Sequence, residues 1–276
     1  MSRIIAISNP KGGVGKTTTT INLAASLAIA EKNVLIIDLD PSGAVSSGVG
    51  LQRENIRAGI FELFSGAVRL WDTIHPLNFL SIDLIPSNVY TTEQDTRLAE
   101  MAKNRIRLKR QLNGLVSVGK MNYDYVLIDT PPMLNDLTIG ALLAADSVLV
   151  PLQCGYFALK ALDRLMEIVE RIKKSANPTL EMEGILLNFY EKGTRASLKS
   201  ATLAWEIFDD LVFKTIIPKN AAVGYAAFQH KPLALVDITA PASKAYLALA
   251  EEIIRKTPEP AFLPPPENQV EVHFAV

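Results

Sequence analysis

The sequence holds one cysteine in 276 residues, Cys154. A single thiol excludes a disulfide framework within the chain and any all-cysteine zinc site. Long apolar runs are missing as well: none approaches the roughly 20 residues that a membrane span needs. The N-terminus runs from Arg3-Ile4-Ile5-Ala6-Ile7 into a glycine-rich stretch too soon for a signal peptide. These absences set a cytoplasmic protein as the expectation. An excess of one charge is lacking too. Lys and Arg number 28 against 29 Asp and Glu, a formal net charge of −1. Dedicated nucleic-acid binders are usually basic overall, so any such binding here must come from a local patch.

What is present is an alternation. Short β-rich apolar runs are separated by longer helical patterns. Strands are expected at Arg3–Ser8, Asn33–Asp38, within Phe79–Pro86, and at Tyr125–Asp129, Ser147–Leu152, Glu183–Asn188 and Phe213–Pro218. Helices are expected at Thr17–Ala30, Thr96–Leu112, Ala158–Lys174, Ser197–Phe208 and Ser243–Lys256. Continuous apolar strands between amphipathic helices predict an α/β fold: a mostly parallel, twisted sheet with helices on both faces. Such sheets bind ligands at the carboxyl ends of their strands. Residues 1–256 read as one domain. Residues 257–276 read as a proline-rich C-terminal tail, with Val270, Val272 and Phe274 alternating with polar residues.

The first strand leads into Lys11-Gly12-Gly13-Val14-Gly15-Lys16-Thr17-Thr18. Phosphate binding needs backbone N–H groups converging on a cavity, and glycines where side chains would block the approach. It also needs a lysine for the β- and γ-phosphates and a hydroxyl for Mg2+. Lys16 and Thr17 suit those roles, and Gly12, Gly13 and Gly15 supply the loop. The cofactors expected are therefore ATP and Mg2+. Asp38-Leu39-Asp40-Pro41 follows the second strand, placing two carboxylates where Mg2+-bound and attacking waters would be ordered. Asp129-Thr130-Pro131-Pro132 follows the fourth, the usual place of an acid that reaches Mg2+ through water.

The general pattern GxxxxGK[ST] would put a glycine at position 10, where this chain has Pro10, with a second lysine, Lys11, beside it. The run KGGVGKTT resembles the deviant Walker A motif of the ParA/MinD superfamily of P-loop NTPases. DLDPSG is similar to that family's DxDPQ motif, with Ser42 in place of Gln, and the DxPP form at Asp129 resembles its second switch. Ala144–Cys154 (AADSVLVPLQC) is close to the ParA/Soj form. The resemblance covers about Arg3 to Lys256. It implies that Lys11 contacts phosphate across an ATP-sandwiched homodimer. It implies too that Asp40 positions the attacking water while Asp38 supports the Mg2+ and Lys16 network. The base would stack late in the sheet, with Asn188 at the adenine edge and Pro218, with Asn220, beside its face.

Other branches fit less well. One cysteine cannot supply the two that nitrogenase-iron-protein relatives use, and Pro264–Val276 carries no Lys or Arg for a MinD-type membrane helix. No tyrosine cluster follows Tyr246, and the chain is too short for a duplicated arsenite-pump ATPase. Within ParA/Soj the resemblance implies a nucleoid-associated protein whose ATP dimer binds DNA without sequence preference. Lys192, Arg195, Lys199, Lys219 and Lys244 are the candidate contacts. Ala222 stands where the family often has a second arginine. Two cargoes remain open: a chromosome or plasmid with a ParB-type partner that stimulates hydrolysis, or a protein assembly reached through a cargo adaptor. A nucleotide-gated binding module with negligible hydrolysis is a third reading, opposed by Lys11, Asp40 and Asp129.

Overall fold

The computed structural model describes residues 2–117, 122–154 and 156–256. The expected tail, residues 257–276, lies outside the described residues. Eight strands form one sheet: β1 (Arg3–Ile7), β2 (Val34–Asp38), β3 (His75–Pro76), β4 (Ile82–Ile85), β5 (Tyr125–Asp129), β6 (Ser147–Gln153), β7 (Glu181–Tyr190) and β8 (Val212–Pro218). Their order across the sheet is β3-β4-β2-β5-β1-β6-β7-β8. Every pairing is parallel except that of the short edge strand β3 with β4. The α/β expectation holds, with β3 as the antiparallel addition.

The alternation of side chains along each strand divides the core into two layers. Ile5 and Ile7 of β1 join Val34 and Ile36 of β2 on one face. That face is covered by α1 (Lys16–Ile29) and, from the chain's end, α11 (Pro241–Lys256). Leu23, Leu27, Leu249 and Ile253 are the buried residues there. Ala6, Leu35, Ile37, Val126 and Ile128 point to the opposite face. The helices over it are α4 (Thr92–Ala102), α5 (Arg107–Ser117), α6 (Asp136–Ala144), α7 (Tyr156–Ser175) and α8 (Arg195–Phe208), through residues such as Leu98, Leu112, Leu142, Leu165 and Ala204. Strands buried on both sides explain why β1, β2 and β5 read as unbroken apolar runs. Smaller helices α2 (Ala44–Gly48) and α3 (Ile60–Ser65) follow β2, and α9 (Ala221–Phe228) and α10 (Leu233–Val236) follow β8. Among the described residues no helix is long and apolar enough to cross a membrane.

One expected helix is two. The run Thr96–Leu112 divides into α4 and α5 at Lys103–Ile106. The turn lays the Arg105 carbonyl on α6, where a methyl group in place of the Gly140 hydrogen would stand 3.2 Å from it. Arg105 also pairs with Asp136 at 2.5 Å. Tertiary contact with α6 thus ends the helix where periodicity alone continues it. The start also moves, to Thr91: its hydroxyl accepts from the Gln94 N–H, and the Gln94 side chain accepts from the Thr91 N–H. This is a capping box.

Candidate functional site

The carboxyl ends of β1, β2 and β5 meet at the loop that opens α1. Its shape begins at Asn9, whose Oδ1 accepts from the Lys11 N–H at 2.9 Å. The Asn9 amide donates to the Pro151 carbonyl on β6 at 2.8 Å, fixing the loop to the sheet. Gly15 then takes φ +89 as the cap of α1, a left-handed conformation that glycine adopts at little cost. It also has no room for a side chain, since an added carbon would stand 2.9 Å from both the Asn188 amide and the Phe189 ring. No side chain caps α1, and its first turn contains no acid. Its leading N–H groups and the positive end of its dipole therefore face the loop cavity, an arrangement suited to phosphate.

The charged groups converge on that cavity. Asp38 and Asp129 end neighbouring strands in direct register, and both are fully buried. Asp38 accepts from the Asp40 N–H at 3.1 Å and the Val45 N–H at 3.3 Å. Asp129 accepts from the Thr17 hydroxyl at 2.7 Å and the Thr20 hydroxyl at 3.1 Å. Lys16 is 7% exposed, and its ammonium donates to the Lys11 carbonyl at 3.3 Å. Asp40 is half-buried and accepts from the Ser42 N–H at 3.0 Å.

Burial sets the protonation of this cluster. Loss of hydration raises the Asp38 carboxyl well above the usual range, and the nearby Asp129 and Asp40 charges raise it further. Burial lifts Asp129 to about 7, against the opposing donation from Thr17 and Thr20. Burial lowers the Lys16 ammonium, while Asp129 and Asp40 work the other way. Two adjacent buried carboxylates with one partly offsetting ammonium constitute an excess of negative charge that a divalent cation relieves. The donors are carboxylate and hydroxyl oxygens, hard ligands matched to Mg2+, which completes its shell from water and phosphate oxygens. Among the described residues no group of three or more His, Cys, Asp or Glu side chains is gathered as a metal cage. Thr17, Asp38 and Asp129 are the residues that present those oxygens.

Beside the loop lies a cavity of about 630 Å3, lined by Thr18, Gln153, Phe189, Pro218, Asn220 and Tyr246 among others. That size suits a small-molecule site. Pro218 and Asn220 thus face the space expected to hold a base, with the Asn220 Oδ1 accepting from the Ala222 N–H to cap α9. Asn188 stands elsewhere. It is completely buried, outside that lining, and its amide donates to the Val14 carbonyl at 3.0 Å and the Thr19 hydroxyl at 3.1 Å. These bonds tie the residue assigned by resemblance to the adenine edge to the phosphate loop, and its Oδ1 has no partner.

A sequence model of the family described as AAA domain matches residues 2–182. The chain is 39% identical over 256 residues to the chromosome partitioning protein ParA of Myxococcus xanthus, covering 93% of this chain and 89% of that protein. It is 38% identical to the sporulation initiation inhibitor protein Soj of Bacillus subtilis, covering 92% and 98%. The chain belongs to the ParA/Soj family of partition ATPases. In three dimensions it superposes on cobyrinic acid a,c-diamide synthase from Mycobacterium smegmatis, solved with an ATP analog and magnesium. That match has a TM-score of 0.76 at 27% identity and covers 92% of this chain and 95% of the other.

In this ParA/Soj chain the remaining candidate residues are distributed around the loop and the sheet's far edge. Lys11 is half-buried at the rim of the loop, with no carboxylate partner among the described residues. Lys192, Arg195 and Lys199 are exposed around the start of α8 and are likewise unpaired with acids there. Lys219 is exposed but engaged in an ion pair with Glu191, and both line the large cavity. Lys244 is exposed at the start of α11, where its charge helps lower the Asp237 carboxyl. The basic candidates do not continue onto α9, which instead exposes Tyr225 and Phe228, the latter at 84%. Sequence reasoning missed three contributors. Asn9 was visible as an Asx turn before a glycine loop. Thr20 was visible three residues after Thr17, on the same helix face. Phe189, held at φ +55 against Gly15, had no sequence signal.

Proposed function

We propose that residues 1–256 act as one Mg2+-dependent ATPase domain that dimerises on ATP and drives chromosome or plasmid partition. The ATP dimer binds DNA without sequence preference, and a ParB-type partner stimulates hydrolysis. The observation that carries this reading is the convergence of Lys16, Thr17, Asp38, Asp40 and Asp129 on an uncapped helix N-terminus, with the unpaired Lys11 at its rim.

In this reading each residue has a role. The loop amides and Lys16 hold the β- and γ-phosphates. Thr17, Asp38 and Asp129 would hold Mg2+, which would supply charge neutralisation at the phosphates. Asp40, free at one oxygen, orients the attacking water in line with the leaving group. Lys11 reaches the phosphates of the facing subunit, so nucleotide becomes part of the dimer contact. The relatives' names, chromosome partitioning ParA and Soj, favour a nucleic-acid cargo.

The test is turnover and oligomeric state together. D40A is expected to retain ATP and accumulate as dimer on gel filtration, with hydrolysis reduced by at least about a hundredfold if water positioning supplies the usual share of catalysis. K11A is expected to bind nucleotide yet remain monomeric. Equal turnover in D40A and wild type removes the assignment of Asp40.

A further inference from the structure

A second cavity, of about 290 Å3, lies behind the segment that follows Asp40. Its walls come from that segment, from the turn at Leu51–Ile56, from Ser87–Tyr90 and from His230. Ser42, Ser46, Ser87, Arg53, Tyr90 and His230 provide its polar groups, and no Asp or Glu lines it.

Independent observations give this cavity a ligand chemistry. Ser46 and Ser87 are 6% and 3% exposed, and neither hydroxyl has a hydrogen-bond partner. Buried hydroxyls are normally satisfied, so a pair left open at one cavity calls for a partner there, water or ligand. Both residues line the cavity. Arg53 lies 3.6 Å over the Tyr90 ring centroid. Stacking fixes the guanidinium plane and leaves its edge N–H groups available, and no carboxylate among the described residues pairs with it. His230 has its Nδ1 2.7 Å from the Ser47 carbonyl. A carbonyl only accepts, so Nδ1 carries the proton, and Nε2 of the neutral ring is an acceptor that adds no donor for an anion.

We propose that this cavity is a binding subsite for a phosphate group, free or at the end of a small molecule, distinct from the phosphate loop. Hydroxyls on separate elements and an exposed guanidinium stacked on Tyr90, with no acid in the lining itself, suit a tetrahedral oxyanion. The site would act on the catalytic segment. Val45 donates to Asp38, and Gly43, at φ +64, comes so close to residue 87 that an added carbon would stand 3.3 Å from its carbonyl oxygen. A phosphate shared by Ser46, Ser87 and Arg53 clamps α2 to the Ser87–Tyr90 segment and so holds the loop that carries Asp40.

The experiment fills the phosphate loop first. The full chain, saturated with Mg2+ and a non-hydrolysable ATP analogue, is titrated with inorganic phosphate and separately with glucose 6-phosphate at constant ionic strength, read by 31P relaxation of the ligand. Saturable millimolar binding is expected, weakened at least about fivefold in R53Q and in S87A. Preference for one ligand tells free phosphate from a phosphorylated metabolite. Without phosphate, S87A is expected to melt no lower than wild type, because its hydroxyl has no partner to lose. Absence of saturable binding, equal binding in R53Q and S87A, or a lower melting temperature for S87A without phosphate each overturns the proposal. Occupancy by the analogue is measured separately. If it does not bind, the proposed ATPase function falls, and the same titration on K16A reads the cavity alone.

Discussion

Asp38 and Asp129 sit one strand apart with no solvent to separate their charges, and that gives the site a pH signature. Asp129 moves from an ordinary value of 3.8 up to about 7 on folding, and Asp38 moves the same way. Between those limits the native chain keeps a proton that the unfolded chain has released. The contribution to stability is therefore full below about pH 4 and is lost as pH rises through about 7. Cation and nucleotide need the ionised form, so binding must expel protons in the same window. Calorimetric titration of Mg2+-ATP at about pH 6 is expected to show heats that depend on the buffer's ionisation enthalpy, and a weaker dependence at about pH 8.5 as Asp129 ionises. Buffer-independent heats at both would mean the carboxylates ionise before ligand arrives. Gly15 makes a second residue-scale prediction. G15A combines a left-handed backbone with a carbon 2.9 Å from the Phe189 ring. The loop must distort, and nucleotide affinity is expected to fall by at least about tenfold, on the scale of one to three kcal/mol of backbone strain. A fluorescent-nucleotide titration checks it.

At the scale of elements, legibility followed how local each determinant is. β1, β2 and β5 were readable because burial on both faces leaves only apolar side chains, and each ends in the chemistry it positions: the loop, Asp38 and Asp129. α6 was not readable. It is buried on nearly every side, so its sequence has no polar stripe to mark a period. The division between α4 and α5 depends on Gly140, far along the chain, and no window of sequence contains it. Asn188 illustrates the same limit within the site. Its partner Val14 lies 174 positions away, so its residue type suggested a polar role while only the fold tied it to the loop. The α4 boundary was local, written in Thr91 and Gln94, and it yields a measurable expectation. T91A removes one capping acceptor on an exposed turn and should cost about 1 kcal/mol of stability in denaturant unfolding. Full retention of stability would show that the box is replaced by water.

Across the whole molecule the near-zero net charge decides how the proposed DNA binding could work. A chain of net charge −1 has no broad field to attract phosphate, so affinity must come from a local group and must be strongly salt-dependent. The exposed, unpaired Lys192, Arg195 and Lys199 are the group we propose. They share the start of α8 with Thr194, Ala196 and Ser197, which line the cavity beside the phosphate loop. Nucleotide in that cavity and DNA on that surface would therefore bear on the same turn of helix, a physical route for ATP to gate DNA. Lys219 is a weaker candidate because its charge is already spent on Glu191. Replacing Lys192, Arg195 and Lys199 together by glutamine is expected to lower the slope of log affinity against log salt by about 0.9 for each DNA phosphate that no longer meets a cation. ATP-dependent dimer formation should persist on gel filtration, because none of the three touches the phosphate loop. A filter-binding series with ATP over a range of salt measures the slope directly. An unchanged slope would transfer the proposed DNA binding to a different face, and would remove the proposed link between it and the nucleotide cavity.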